Sequence, residues 1–247
     1  MLRQNRIPGR GSHDAGPRCC IARPAAQPEI CRRRGKQSEK MKQTMEARRV
    51  SGLILAGGQG MRMGGQDKGW LELVGAPLVE LTLARLRPQL ANGELLISAN
   101  RNLERYAALA RALPDAPEFA GCGPLAGLEA GLAACAAPWL VAVPCDLPFL
   151  PADLASRLLA PLLRGEASLS AASCAGRQHP ACMALSVELL EDLRAYLRAD
   201  GRKVREWQAR VGALQIDFDD APEAFRNLNT PDDLAAAEAY ASQWRQS

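Results

Sequence analysis

From residue 50 onward, short apolar runs alternate with stretches whose apolar positions recur every three or four residues. Residues 52–55, 95–98, 140–143, 169–172, 181–185 and 214–218 have the length and aliphatic character of strands. Between them, 77–90 carries Leu78, Leu81, Leu83, Leu86 and Leu90 at helical spacing, with a proline at its start. Residues 103–113, 152–163, 187–198 and 203–211 read as further helices, with Pro151 near the first turn of 152–163, and GCGPLAG at 121–127 reads as a second glycine-rich loop followed by a helix to about residue 134. A last helix is expected to open with Thr230 as N-cap, Pro231 at its first position and Asp233 in its first turn. Strands alternating with helices predict an α/β fold, a Rossmann-like three-layer α/β/α arrangement around a mostly parallel sheet. With no repeat and no long linker after residue 50, one domain is expected over residues 50–247.

Composition divides the chain. Residues 1–49 hold 13 Lys and Arg against 4 Asp and Glu, and little apolar periodicity. Such a segment buries too little surface to offset chain entropy, so a disordered basic leader is expected. A second reading is that the true start is Met41 or Met45. The RRRGK run at 32–36 is read as a solvated block of like charge. The remainder is mildly acidic, which argues against nucleic acid as a partner. No apolar run approaches the roughly 18 residues of a membrane span, so no membrane association is expected. No CxxC pair occurs and only two His are present, so the zinc spacings are missing. Of the eight cysteines, Cys135, Cys145, Cys174 and Cys182 sit among apolar residues as small core fillers, reduced in a cytoplasmic setting.

Residues 51–69, SGLILAGGQGMRMGGQDKG, change the picture. A strand breaks into Gly57, Gly58, Gly60, Gly64 and Gly65, with Arg62 and Lys68 close by. Backbone N–H groups approach an anion closely only where no Cβ intrudes. The P-loop pattern fails, because Lys68 follows Asp67 and precedes Gly69. The dinucleotide pattern fails too: from Gly58 to Gly64 there is one residue too many, and a cation sits inside. Two cations suit a triphosphate, because charge grows on the leaving pyrophosphate when the α-phosphorus is attacked. The plainer reading is a glycine-rich turn carrying exposed cations.

The stretch LAGGQGMRMGGQDKG resembles the signature LAGGxxxRMGGxDKG of the molybdenum cofactor guanylyltransferases. The similarity continues through ELVGAPL, SANRN, GPLAG, VPCDLPFLP, the pair His179–Pro180 and FRNLNTPDDL, from Gly52 to about residue 239. It implies a nucleotidyltransferase fold over 50–247 and transfer of GMP from GTP to molybdopterin or its molybdenum form. It implies Mg²⁺ as cofactor, Asp146 as its ligand, and contact with proteins that handle the molybdenum cofactor. Lys68 and Arg62 would meet the phosphates, and Leu55, Ala56, Gly57 and Gly58 would frame the nucleotide. The sister cytidylyltransferases resemble LAAG where this chain has LAGG, so Gly58 leaves room for a purine. Asp115 matches the residue that binds the base, and a carboxylate accepts from both the N1–H and the 2-amino group of guanine. Cytidylyl transfer to the same pterin, or transfer to a sugar phosphate, is the competing reading.

Asp146 has a reading of its own. It follows the strand 140–143, and ligands of open parallel sheets bind beyond the carboxyl ends of strands. A carboxylate there suits Mg²⁺ between phosphate oxygens. Ser98 departs from the family pattern, which has Asn at that position. A hydroxyl reaches less far than an amide, while Asn100 is retained. Asn227 and Asn229 either line the acceptor side or form the turn before the last helix. His179 either meets the acceptor or packs as a structural residue.

Overall fold

The computed structural model describes residues 49–57, 67–90, 93–226, 228 and 231–244. The expected leader, apart from Arg49, lies outside the described residues, as do Gly58, Arg62, Asn227, Asn229 and Thr230. The elements in chain order are β1 (Val50–Leu55), β2 (Glu72–Leu73), β3 (Ala76–Pro77), α1 (Leu78–Leu86), β4 (Leu95–Ser98), α2 (Leu103–Ala107), β5 (Arg111–Leu113), α3 (Pro124–Ala134), β6 (Trp139–Pro144), α4 (Leu154–Leu163), β7 (Leu169–Cys174), β8 (Arg177–Ser186), α5 (Leu190–Arg198), α6 (Val204–Arg210), β9 (Leu214–Asp217) and α7 (Pro231–Trp244).

Among the described residues, seven strands form the main sheet in the order β5-β4-β1-β6-β8-β7-β9. The pairs β5/β4, β4/β1, β1/β6 and β7/β9 are parallel. Strand β8 runs antiparallel to both of its neighbours, β6 and β7. Strand alternation feeds two cores. Val50, Ile54, Ile97, Val141, Val143, Cys182 and Ala184 face one side, with residues of α1, α2 and α4. Leu53, Leu55, Leu96, Leu140, Ala142, Met183 and Leu185 face the other, with residues of α3, α5 and α6. A strand buried on both faces must be apolar at every position, which is why these segments read as continuous aliphatic runs. A third cluster joins the small β2–β3 sheet to Phe149 and α7.

Three elements differ from expectation. The helix expected over 103–113 ends at Ala107, and Arg111–Leu113 pair with β4 as a strand. The residue before a proline is pushed away from helical backbone, and Leu113 precedes Pro114. The β2–β3 hairpin was not foreseen; its turn holds Val74 and Gly75, both at positive φ (52° and 76°). Helix α4 starts at Leu154, and Asp153 at its N-cap makes no side-chain cap bond. Gln89 caps it instead, accepting from the Ala155 N–H at 2.9 Å.

Candidate active site

The four parallel strands on one half of the sheet end at the same level. Leu55 pairs with Ser98 on one side and Pro144 on the other, and Ser98 pairs with Leu113. Two residues beyond each of these four ends stand Gly57, Asn100, Asp146 and Asp115. The strand ends are tied together: the Ala56 N–H donates to Ser98 O at 2.8 Å, Ala99 N–H to Leu113 O at 3.0 Å, and Cys145 N–H to Leu55 O at 3.1 Å. Sheet register thus converts four separate sequence positions into one row of polar groups and bare backbone. This is the position at which open α/β sheets bind ligands.

A cavity of about 690 Å³ lies over part of this row. Leu55, Ala56, Gly57, Ser98, Asn100 and Asp115 line it, which brings together six of the residues expected from the sequence. Its far wall is the GCGPLAG loop and the start of α3, with Gly121, Gly123, Pro124 and Gly127. Helix α3 approaches the sheet closely because it has no side chains there. A Cβ on Gly127 would stand 2.2 Å from Ser98 Oγ, and one on Gly131 would stand 2.4 Å from Leu53 Cδ2. Ser98 is 1% exposed, so its hydroxyl forms the floor of the cavity rather than projecting into it.

Asn100 and Asp115 form a closed pair. Asn100 Nδ2 donates to Asp115 Oδ2 at 2.8 Å, and the Asp115 N–H donates to Asn100 Oδ1 at 2.9 Å. Burial pushes the Asp115 carboxyl up from its ordinary range, and the bond from Asn100 opposes this. An acceptor carboxylate is therefore held at a fixed angle in a partly desolvated wall. Such a group suits a ligand edge that presents two N–H donors.

Lys68 and Asp146 form a direct ion pair, with side chains 23% and 13% exposed, and neither is among the residues that line the cavity. Lys68 opens a short 3₁₀ turn, Lys68–Trp70, after the glycine-rich stretch. Cys145, beside Asp146, is fully buried under the site; burial, then the Asp146 charge, pushes its thiol up, so it stays a neutral packing group. Among the described residues no cluster of three or more His, Cys, Asp or Glu is placed to hold a metal. Mg²⁺ nevertheless fits Asp146, because it uses one or two carboxylates and completes its shell with phosphates and water. The Lys68 ammonium already resting on that carboxylate shows that the position accepts positive charge.

His179 lies elsewhere, on β8, packed against Phe225 with ring centroids 4.7 Å apart and the rings tilted by 42°. Burial pushes its imidazole down, helped by the charges of Arg177 and Arg205. Arg101 and Asp67 also line the cavity and were not singled out from the sequence. Arg101 directly follows Asn100 in SANRN, and Asp67 precedes Lys68, so adjacency was the available signal.

Residues 52–213 match the family model of the MobA-like NTP transferase domain. The chain is 46% identical over 197 residues to the molybdenum cofactor guanylyltransferase of Cupriavidus taiwanensis, spanning 77% of this chain and 96% of that protein. It is 41% identical over 186 residues to the protein of the same name from Shewanella pealeana, spanning 75% of this chain and 92% of that one. Among solved structures, molybdopterin-guanine dinucleotide biosynthesis protein A of Archaeoglobus fulgidus superposes with a TM-score of 0.67 at 22% identity, covering 78% of this chain and 99% of that one. The 4-diphosphocytidyl-2C-methyl-D-erythritol synthase of Anaerococcus prevotii shares the fold, with a TM-score of 0.65 at 12% identity over 79% of this chain and 97% of that one. This chain belongs to the MobA-like NTP transferases and, within them, to the molybdenum cofactor guanylyltransferase family.

Proposed function

We propose that this protein transfers GMP from GTP to molybdopterin, or to its molybdenum form, and releases pyrophosphate. The observation that carries the reading is the row of strand-end groups. A donor-reading carboxylate (Asp115), bare backbone (Gly57) and a charge pair (Lys68 with Asp146) follow the ends of β5, β1 and β6, in the order that base, sugar and phosphates would take along the sheet edge; Asp115 and Gly57 line the cavity, while Lys68 and Asp146 are not among its lining residues. Guanine would set its N1–H and 2-amino group on Asp115, held in aim by Asn100. The backbone of Leu55, Ala56 and Gly57 would face the nucleotide; Gly58 and Arg62, for which the resemblance implies nucleotide contacts, lie outside the described residues.

The terminal phosphate of the pterin attacks the α-phosphorus of GTP. An oxygen–phosphorus bond forms, the bond to the bridging oxygen breaks, and pyrophosphate leaves with the electron pair. A phosphate monoester is mostly ionised at neutral pH, so no general base is needed. Lys68 meets the negative charge that develops on the leaving group. Asp146 would hold Mg²⁺, whose chemistry is to neutralise charge on the phosphate oxygens. The chain's own contribution is alignment of the attacking and leaving oxygens. His179 and the segment around Asn227 and Asn229 are candidates for the acceptor side, and proteins that handle the pterin would meet the chain there. The five described cysteines are free thiols, which suits work in the cytoplasm. No helix among the described residues is long and apolar enough to cross a membrane.

The test is pyrophosphate release on mixing protein, Mg²⁺ and molybdopterin with each nucleoside triphosphate in turn. GTP is expected to give the fastest release, at a rate that depends on the pterin. Faster release with CTP, or release without any acceptor, would overturn the reading.

A further inference from the structure

Lys68 emerges from its turn beside Asp67, and Asp67 is held by three donors. Tyr106 Oη donates to Asp67 Oδ1 at 2.7 Å, Asn102 Nδ2 donates to Oδ2 at 2.9 Å, and the Gly69 N–H donates to Oδ1 at 3.3 Å. Two of the three come from α2 and its N-cap. Asn102 stands at the N-cap of that helix in left-handed backbone, φ 51° and ψ 33°, and makes no cap bond. Its amide N–H donates to Asp67, and Asn tolerates this left-handed backbone better than most residues.

Tyr106 is completely buried, and its hydroxyl emerges from the core under the turn. A Cβ on Gly69 would stand 2.4 Å from Tyr106 Oη, so the turn fits over the hydroxyl only with glycine at this position. Trp70 covers the Tyr106 ring with centroids 5.0 Å apart, and the Arg105 guanidinium lies 3.8 Å over Trp70. Helix α2 and the turn are therefore locked together immediately before and after Lys68.

We propose that Tyr106 and Asn102 are positioning residues for Lys68, acting through Asp67. This rests on the reading of Lys68 as the cation that meets the triphosphate. Asp67 lines the cavity but is engaged by its three donors, and it acts as the strut that sets where the lysine leaves the chain. A hydroxyl rising from a rigid core fixes that departure point more firmly than a glycine-rich stretch does alone. A charged acceptor also makes each of these bonds stronger than a neutral pair.

The experiment is a double-mutant cycle read by calorimetric affinity for the Mg²⁺ complex of the nucleoside triphosphate that the unmodified protein binds best. Tyr106→Phe keeps the ring in the core and removes only the donor. It is expected to weaken binding about tenfold, the size of a lost bond to a charged acceptor. In the Lys68→Ala background the same change is expected to leave affinity unchanged, because its route to the phosphates has gone. Asn102→Gly keeps the left-handed backbone and removes the amide, and is expected to behave likewise. Equal losses with and without Lys68, in either variant, would overturn the proposal and reduce these residues to fold supports. Preference for CTP would overturn the guanylyl reading while the cycle, run with CTP, still decides this one. A protein that binds no nucleoside triphosphate would overturn both.

Discussion

The two halves of the sheet end differently. On the β5-β4-β1-β6 side, parallel strands finish in register and leave a crevice roofed by a helix with glycines where it meets the sheet. On the β8-β7-β9 side, the antiparallel β8 reverses direction, and aromatic rings pack at a tilt around the strand ends. Phe218 and Phe225 lie 5.3 Å apart, His179 packs on Phe225, and the Arg157 guanidinium covers Phe218 at 3.9 Å. The same three-layer construction therefore gives an open polar row on one half and a filled end on the other. Parallel register aligns the strand ends in space, and the absence of Cβ atoms keeps that space clear.

If the open half carries the chemistry, damage to it separates activity from stability. Lys68→Ala removes a cation from the leaving group and is expected to lower the rate of pyrophosphate release by about 10²–10³-fold with an unchanged melting temperature. Steady-state rates beside a thermal melt check this, and an unchanged rate breaks the assignment. Asp115→Asn replaces an acceptor with an amide that also donates. It is expected to lower kcat/KM for GTP by about 10–100-fold and to erase the preference for GTP over inosine triphosphate, which lacks the 2-amino group.

Gly127→Ala tests what keeps the crevice open. The new methyl group meets Ser98 Oγ, so a loss of about 1–3 kcal/mol in denaturant unfolding is expected from overpacking. Reduced nucleotide affinity is expected with it, because the cavity wall shifts. A purely structural glycine would show the first effect without the second.

The smallest effect belongs to the filled half. The folded-state pKa of His179 lies below its ordinary value of about 6.5. The unfolded chain therefore takes up the proton first as pH falls. The stability tied to this neutral imidazole is present above about pH 6.5 and is lost progressively as pH drops from there through the folded value. His179→Phe is expected to flatten that part of the stability profile relative to the unmodified protein, as measured by urea midpoints at a series of pH values. Parallel profiles would mean that burial does not govern this residue.

The layered α/β architecture was legible because doubly buried strands must be apolar at every position, and those runs stand out between amphipathic helices. Strand β5 was not legible. Its three residues sit in an alanine-rich stretch that reads equally as helix, and pairing with β4 is decided by a neighbour distant in sequence. Among site residues, Asp115 and Asp146 could be named from their motifs, but that Asn100 would hold Asp115 from both sides depends on register alone. Tyr106 could not be picked out at all. A tyrosine on a short amphipathic helix reads as core, and only the close approach of Gly69 reveals what its hydroxyl does.

The open half of the sheet is expected to hold a guanine nucleotide, base against Asp115 and triphosphate toward Lys68. A crystal structure of the protein grown with GTP and Mg²⁺, and without pterin, tests it most directly. The expected result is the guanine edge on Asp115, the sugar against Gly57, the terminal phosphates at Lys68 and density for a metal at Asp146. Nucleotide seated against His179 and Phe225, or a base turned away from Asp115, would contradict it.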